Sequence, residues 1–109
     1  MAFKTSIDGR MEKRLPIAIV VQLAQRQASP LNGGEMTYTD NVSAHGARVI
    51  SKHPWQTGEE ALVTSLKDKT TIPGKVVYCQ KLQDNRYCVG LNFNNGGVTW
   101  SAYKTYNKT

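Results

Sequence analysis

No apolar run in this chain approaches the roughly 18 to 20 residues that a membrane-crossing helix needs, the longest being Ile17-Ala18-Ile19-Val20-Val21. Met1 to Arg14 has no apolar stretch of the kind that forms the core of a secretory signal. A cytoplasmic protein without membrane insertion is the expectation. Cysteine is scarce: Cys79 and Cys88 are the two present, too few for a disulfide framework. They flank a turn expected at Asp84-Asn85, which puts them on neighbouring strands, and free thiols are expected there. Acidic residues are also few, eight against 14 Lys and Arg, leaving a net charge of +6 and a pI near 9.5. That imbalance favours a partner that carries negative charge: a nucleotide, a nucleic acid, an anionic membrane surface or an acidic protein. No internal repeat or low-complexity tract is visible.

What remains is one small folded domain. The 109 residues can bury a single core without help from bridges or metal, and the apolar residues, 39% of the chain, are gathered into short runs instead of being diluted as in a disordered tail. Ile17 to Leu23 is β-branched and too short for a typical helix, so it reads as a strand. Ser29-Pro30 and Asn32-Gly33-Gly34 mark a loop, after which Glu35 to Asp40 alternates into a second strand. Further strands are expected at Ala47 to Ser51, Ala61 to Leu66, Lys75 to Lys81 and Arg86 to Phe93, separated at Pro54, Gly58, Pro73-Gly74 and Asp84-Asn85. In the last of them Tyr87, Val89, Leu91 and Phe93 share one face. About six short strands point to a small antiparallel barrel or sandwich. Residues 1–16 read as a polar, flexible N-terminal arm, 17–97 as the barrel and 98–109 as a tail. Val98, Ala102, Tyr103 and Tyr106 could line a short C-terminal helix there, although threonine and asparagine weaken it.

Two patterns carry chemistry. Arg10 and Arg14 are four residues apart, on one side of a helical turn or of an extended strand. A guanidinium fork can grip a phosphate, or the O6/N7 edge of guanine, through two parallel hydrogen bonds. The plain alternative is a solvated pair of cations in a basic chain. The second pattern is Asn41-Val42-Ser43-Ala44-His45-Gly46. A polar residue, a serine two positions on and a glycine three beyond that arise by chance in about one chain in twenty. As a turn, Asn41 can cap the bend or offer its amide to a base edge, and Ser43 can donate to a phosphate oxygen. Gly46 suits a position of positive φ or of close backbone approach. If the first two strands pair antiparallel, the chain returns after Asp40 to the end of the sheet where the arginine-bearing arm comes in.

On these residues the chain resembles the PilZ domains, receptors of the bacterial second messenger cyclic di-GMP, whose signature is RxxxR followed by [D/N]xSxxG. Both halves are present in order, and the resemblance runs from Arg10 to about Phe93, with Val89-Gly90-Leu91-Asn92-Phe93 similar to the family's closing strand. It implies a six-stranded antiparallel, split-barrel type fold. It also implies that Arg10 and Arg14 hold phosphates and guanine edges, Asn41 a guanine and Ser43 a phosphate, with Gly46 shaping the turn. The ligand would be cyclic di-GMP, the output a downstream protein partner, and the processes attached to the class are motility, exopolysaccharide synthesis and virulence.

Other readings have less behind them. His45, His53, Cys79 and Cys88 match no zinc spacing, so no metal is expected. Ser43 and His45 lack an acidic orienter, so a receptor is expected and not an enzyme. Trp55, Trp100 and five tyrosines raise the alternative of a basic barrel that stacks nucleic-acid bases. Those aromatics are scattered along the chain, however, which favours core and rim packing. Arg48, just past the turn, is a possible additional ligand contact or an ordinary exposed strand residue.

Overall fold

The computed structural model describes residues 15–26, 34–93 and 100. The arm up to Arg14, the Ser29-Pro30 and Asn32-Gly33 turn signals, and the expected tail helix lie outside the described residues.

Six strands follow one another: β1 (Val20–Gln25), β2 (Glu35–Ser43), β3 (Gly46–Ser51), β4 (Glu60–Ser65), β5 (Thr70–Lys81) and β6 (Tyr87–Asn92). Every pairing is antiparallel, and the order β1-β2-β3-β6-β5-β4 closes through β1 against β4 into a barrel. The all-β, six-stranded expectation holds. Closure leaves no long unpaired edge, and alternation does the rest. Val21, Leu23, Val49, Val63, Val76, Val89 and Leu91 fill the interior, while Val20, Met36 and Tyr38 look outward.

The strand limits differ from the sequence reading at two informative places. Ile17 to Ile19 precedes β1 because a side chain takes over the ladder's role there. The Thr39 hydroxyl accepts from the Ile19 amide at 2.9 Å and donates to the Ile17 carbonyl at 2.8 Å. Pro73-Gly74, expected as a break, lies inside the 12-residue β5. From Thr70 to Gly74 this strand pairs with β4 alone, and β6 joins only from Lys75 onward. A residue without an N–H is tolerated where one side of the strand has no neighbour. A register shift then bends β5 between Val76 and Tyr78, and another bends β2 between Thr39 and Asn41.

The outer wall is not bare. Gly90 lies beneath the Tyr78 ring, and a Cβ built on it would meet that ring at 2.2 Å. Cys88 is buried on this side, and burial pushes its thiol pKa up. Cys79 pairs with Val89 and Cys88 with Gln80. The two thiols are therefore one register step apart and on opposite faces of the wall, and both are free.

Two outcomes follow from this wall. Gly90→Ala forces the Tyr78 ring aside and destabilises by roughly 1–3 kcal/mol; in the Tyr78→Ala background the same change is much milder, which a double-mutant cycle in urea measures directly. Mild oxidation with diamide yields no intrachain disulfide, and at pH 8 Cys88 is alkylated far more slowly in the native protein than in urea. Peptide mass spectrometry checks both statements.

Candidate functional site

At one end of the barrel the chain ahead of β1 is tied to the last turn of β2. Leu15 donates to the Val42 carbonyl at 2.8 Å and accepts from the Val42 amide at 3.0 Å, and its side chain is only 3% exposed. Covalent connectivity then sets a limit. Arg14 begins one residue, about 3.8 Å, before this bridge, and Ser43 follows Val42 directly on the other strand. Arg10 and Arg14 themselves lie outside the described residues.

The turn is the β2–β3 hairpin, in which Ser43 pairs with Gly46 around Ala44-His45. Asn41 follows the β2 bulge and stands opposite Arg48, half exposed. Such bulges re-aim side chains where a strand ends. Ser43 is completely buried, and its hydroxyl donates to the Gly46 carbonyl over a long 3.4 Å. Gly46 pairs with Ser43 on one side and Asn92 on the other. Positive φ is found at Gly34 and Gly58 among the described glycines, and not at Gly46. It lies on β3 between β2 and β6.

Arg48 is a partnered residue. Its Nε lies 2.7 Å from Asp40 Oδ1, in an ion pair with both side chains more than a third exposed. That hydrogen bond raises the guanidinium pKa further, so the charge is permanent. Farther along the outer wall, Arg86 donates to the Tyr38 hydroxyl at 2.5 Å and to Asp84 at 2.7 Å. These bonds raise the Arg86 pKa, and the one from Arg86 lowers that of Asp84. The barrel's own arginines are thus largely matched by acids.

Sequence reasoning missed what holds the back of the turn. The Phe93 amide donates to the His45 carbonyl at 2.8 Å. The Trp100 indole donates from Nε1 to the Ser43 carbonyl at 3.0 Å, and its ring, wholly buried, lies 6.0 Å from that of Phe93 at an interplanar angle of 46°. A lone tryptophan beyond a glycine and asparagine cluster was the available signal, an apolar residue too large to leave in water.

The rest of the described molecule offers less. A hollow of about 400 Å³ lies at the opposite end, lined by Leu23, Gly34, Glu35, His53 and Trp55 among others. The Glu35 carboxylate there already accepts from the Ser51 hydroxyl and the Lys52 amide. Among the described residues no group of three His, Cys, Asp or Glu side chains could hold a metal ion. No helix among them is long and apolar enough to cross a membrane.

Comparisons with known proteins bear on the fold and the family. No curated protein matches the chain by sequence. Among solved structures, the barrel is similar to that of the Bacillus subtilis inhibitor of motility, MotI/DgrA, with a TM-score of 0.62 at 16% identity. The match covers 92% of this chain and 52% of that one, so the chain spans about half the length of that protein. At this identity the likeness speaks for the fold. The family model of the PilZ domain matches residues 8–99, from just before Arg10 to just before Trp100. The chain belongs to the PilZ domain family, a family of cyclic di-GMP-binding domains.

Proposed function

We propose that this chain is a cytoplasmic, non-enzymatic receptor for cyclic di-GMP. The dinucleotide is held between Arg10 and Arg14 on one side and the Asn41–Gly46 turn on the other. The observation that carries this reading is the Leu15–Val42 bridge, which anchors the chain one residue after Arg14 beside the residue that precedes Ser43. The two halves of the signature are 27 positions apart between Arg14 and Asn41, and this backbone link supports their acting as one site.

In this mechanism the arginines supply charge and planarity. Each guanidinium fork takes a phosphate or a guanine edge in paired hydrogen bonds. Asn41 offers an amide to the base, and Ser43 a hydroxyl to phosphate. Ser43 exchanges its long bond to Gly46 for a charged acceptor, so binding includes uncovering this residue. Charge-assisted hydrogen bonds contribute about 1.5–3 kcal/mol each, and micromolar affinity corresponds to about 8 kcal/mol. A handful of such contacts exceeds that figure and leaves a margin for fixing residues 10–14 over the turn.

The output is a changed surface at this end of the barrel, read by a downstream protein. Control of motility is the first process to examine, because the similar Bacillus structure is named as an inhibitor of motility; exopolysaccharide synthesis is the second.

Calorimetry with cyclic di-GMP tests the proposal. Wild type binds in the micromolar range or tighter. Arg14→Ala weakens binding about ten- to hundredfold, the equivalent of one charge-assisted hydrogen bond, and Ser43→Ala weakens it less. Arg48→Ala has a smaller effect than Arg14→Ala, since Asp40 already holds that guanidinium. No heat and no displacement at high micromolar dinucleotide, together with salt-sensitive oligonucleotide binding, overturns the proposal in favour of a nucleic-acid-binding barrel.

A further inference from the structure

We infer that Trp100 is a positioning residue for the ligand-binding turn, and that its seat and the ligand are thermodynamically coupled. The inference rests on the cyclic di-GMP reading for its ligand, but its geometry is independent of that ligand. The turn that carries Asn41, Ser43 and Gly46 has a two-residue loop, and neither Ala44 nor His45 takes the positive φ that most two-residue hairpins use. Local conformational preference therefore does little to fix its shape, and bonds from elsewhere do more.

Those bonds come from the other end of the chain. Trp100 Nε1 donates to the carbonyl of Ser43, 57 positions away in sequence, and both residues are completely buried. Phe93 donates its amide to the His45 carbonyl, and its ring packs tilted against that of Trp100. The carbonyl of Ser43 and the hydroxyl of Ser43 belong to one residue, so the indole bond restrains the backbone from which that hydroxyl projects. Indole suits this role because it combines a large apolar plate with a single donor. Phenylalanine at this position keeps the plate and loses the donor.

Coupling has a direction that can be read. A ligand that grips Ser43 from the outside favours the state in which Trp100 holds it from the inside, and by reciprocity the seated indole favours the ligand. Cyclic di-GMP thereby acts on the seating of Trp100 as well as on the turn.

The test has two arms, one of them free of ligand. Trp100→Phe weakens cyclic di-GMP binding about five- to tenfold, the equivalent of one hydrogen bond. Val63→Ala, a core change on β4 away from the turn, lowers the melting temperature and leaves affinity unchanged. By amide exchange in NMR, residues 43 to 46 exchange faster in ligand-free Trp100→Phe than in Val63→Ala. Equal exchange at the turn in the two variants, or unchanged affinity in Trp100→Phe, overturns the inference.

Wild-type protein supplies a check if the tryptophan variant does not fold. Saturating dinucleotide slows exchange of the Trp100 indole proton and spares that of Trp55, which is bonded to Ser51 at the opposite end. An unaffected Trp100 proton also overturns the coupling. Wild type that ignores the dinucleotide, with faster turn exchange in Trp100→Phe, refutes the receptor reading and the coupling while upholding the positioning role.

Discussion

Two backbone hydrogen bonds between Leu15 and Val42 are the constraint on which the working end of this barrel depends. Without them the chain ahead of β1 has no fixed origin. Each is worth about 0.5–1.5 kcal/mol net, and burying the Leu15 side chain adds roughly 1.5–3 kcal/mol. Holding one residue's backbone costs about 1–2 kcal/mol, so the pair secures Leu15 with a modest surplus. The Thr39 hydroxyl carries the fixation on through Ile17 and Ile19 to β1. The anchored segment therefore starts beside Ser43 and feeds directly into the barrel wall. Any force exerted on residues just before Leu15 is exerted on the turn.

That turn is braced from behind by residues of the closing end. Phe93 and Trp100 hold the carbonyls of His45 and Ser43, and Asn92 pairs with Gly46. The early strands supply the polar groups and the late residues supply their support. The site is consequently a product of tertiary closure: β6 must lie against β3 before the hairpin has a back wall. A barrel whose strand order is β1-β2-β3-β6-β5-β4 makes that contact obligatory, because β3 has only β2 and β6 as neighbours.

The sequence disclosed the architecture where a single physical rule was in control. Alternation in Tyr87 to Phe93 located β6, β-branched density located β1, and the turn residues at Asp84-Asn85 located the β5–β6 hairpin. It was less legible where two rules competed. Pro73 reads locally as a stop, yet the missing second neighbour of β5 removes the penalty. Ile17 to Ile19 has the composition of a strand, yet the Thr39 hydroxyl takes the Ile19 amide and the Ile17 carbonyl that a ladder would otherwise pair. For the site, the residue types in the turn could be read by spacing, whereas the ion pair of Arg48 with Asp40 depends on a bulge that no pattern in β2 announces. The hydrogen bond of Trp100 was illegible for a different reason: its partner is a backbone carbonyl, and every residue type has one.

Charge is unevenly divided along the chain. On the described barrel the arginines are drawn into pairs, Arg26 with Glu60, Arg48 with Asp40 and Arg86 with Asp84. These exposed pairs contribute little stability, but they reduce the field of the wall. Lys4, Arg10, Lys13 and Arg14 face only Asp8 and Glu12 in sequence, and Lys104 and Lys108 have no acidic neighbours in the tail. Much of the net +6 is thus carried by the two ends of the chain; among the described residues, Leu15 bonds to Val42 and Trp100 to Ser43. If the proposed dianionic ligand is steered by these charges, then because such attraction decays over about 8 Å at physiological salt, its capture rate falls with ionic strength more than its final grip does.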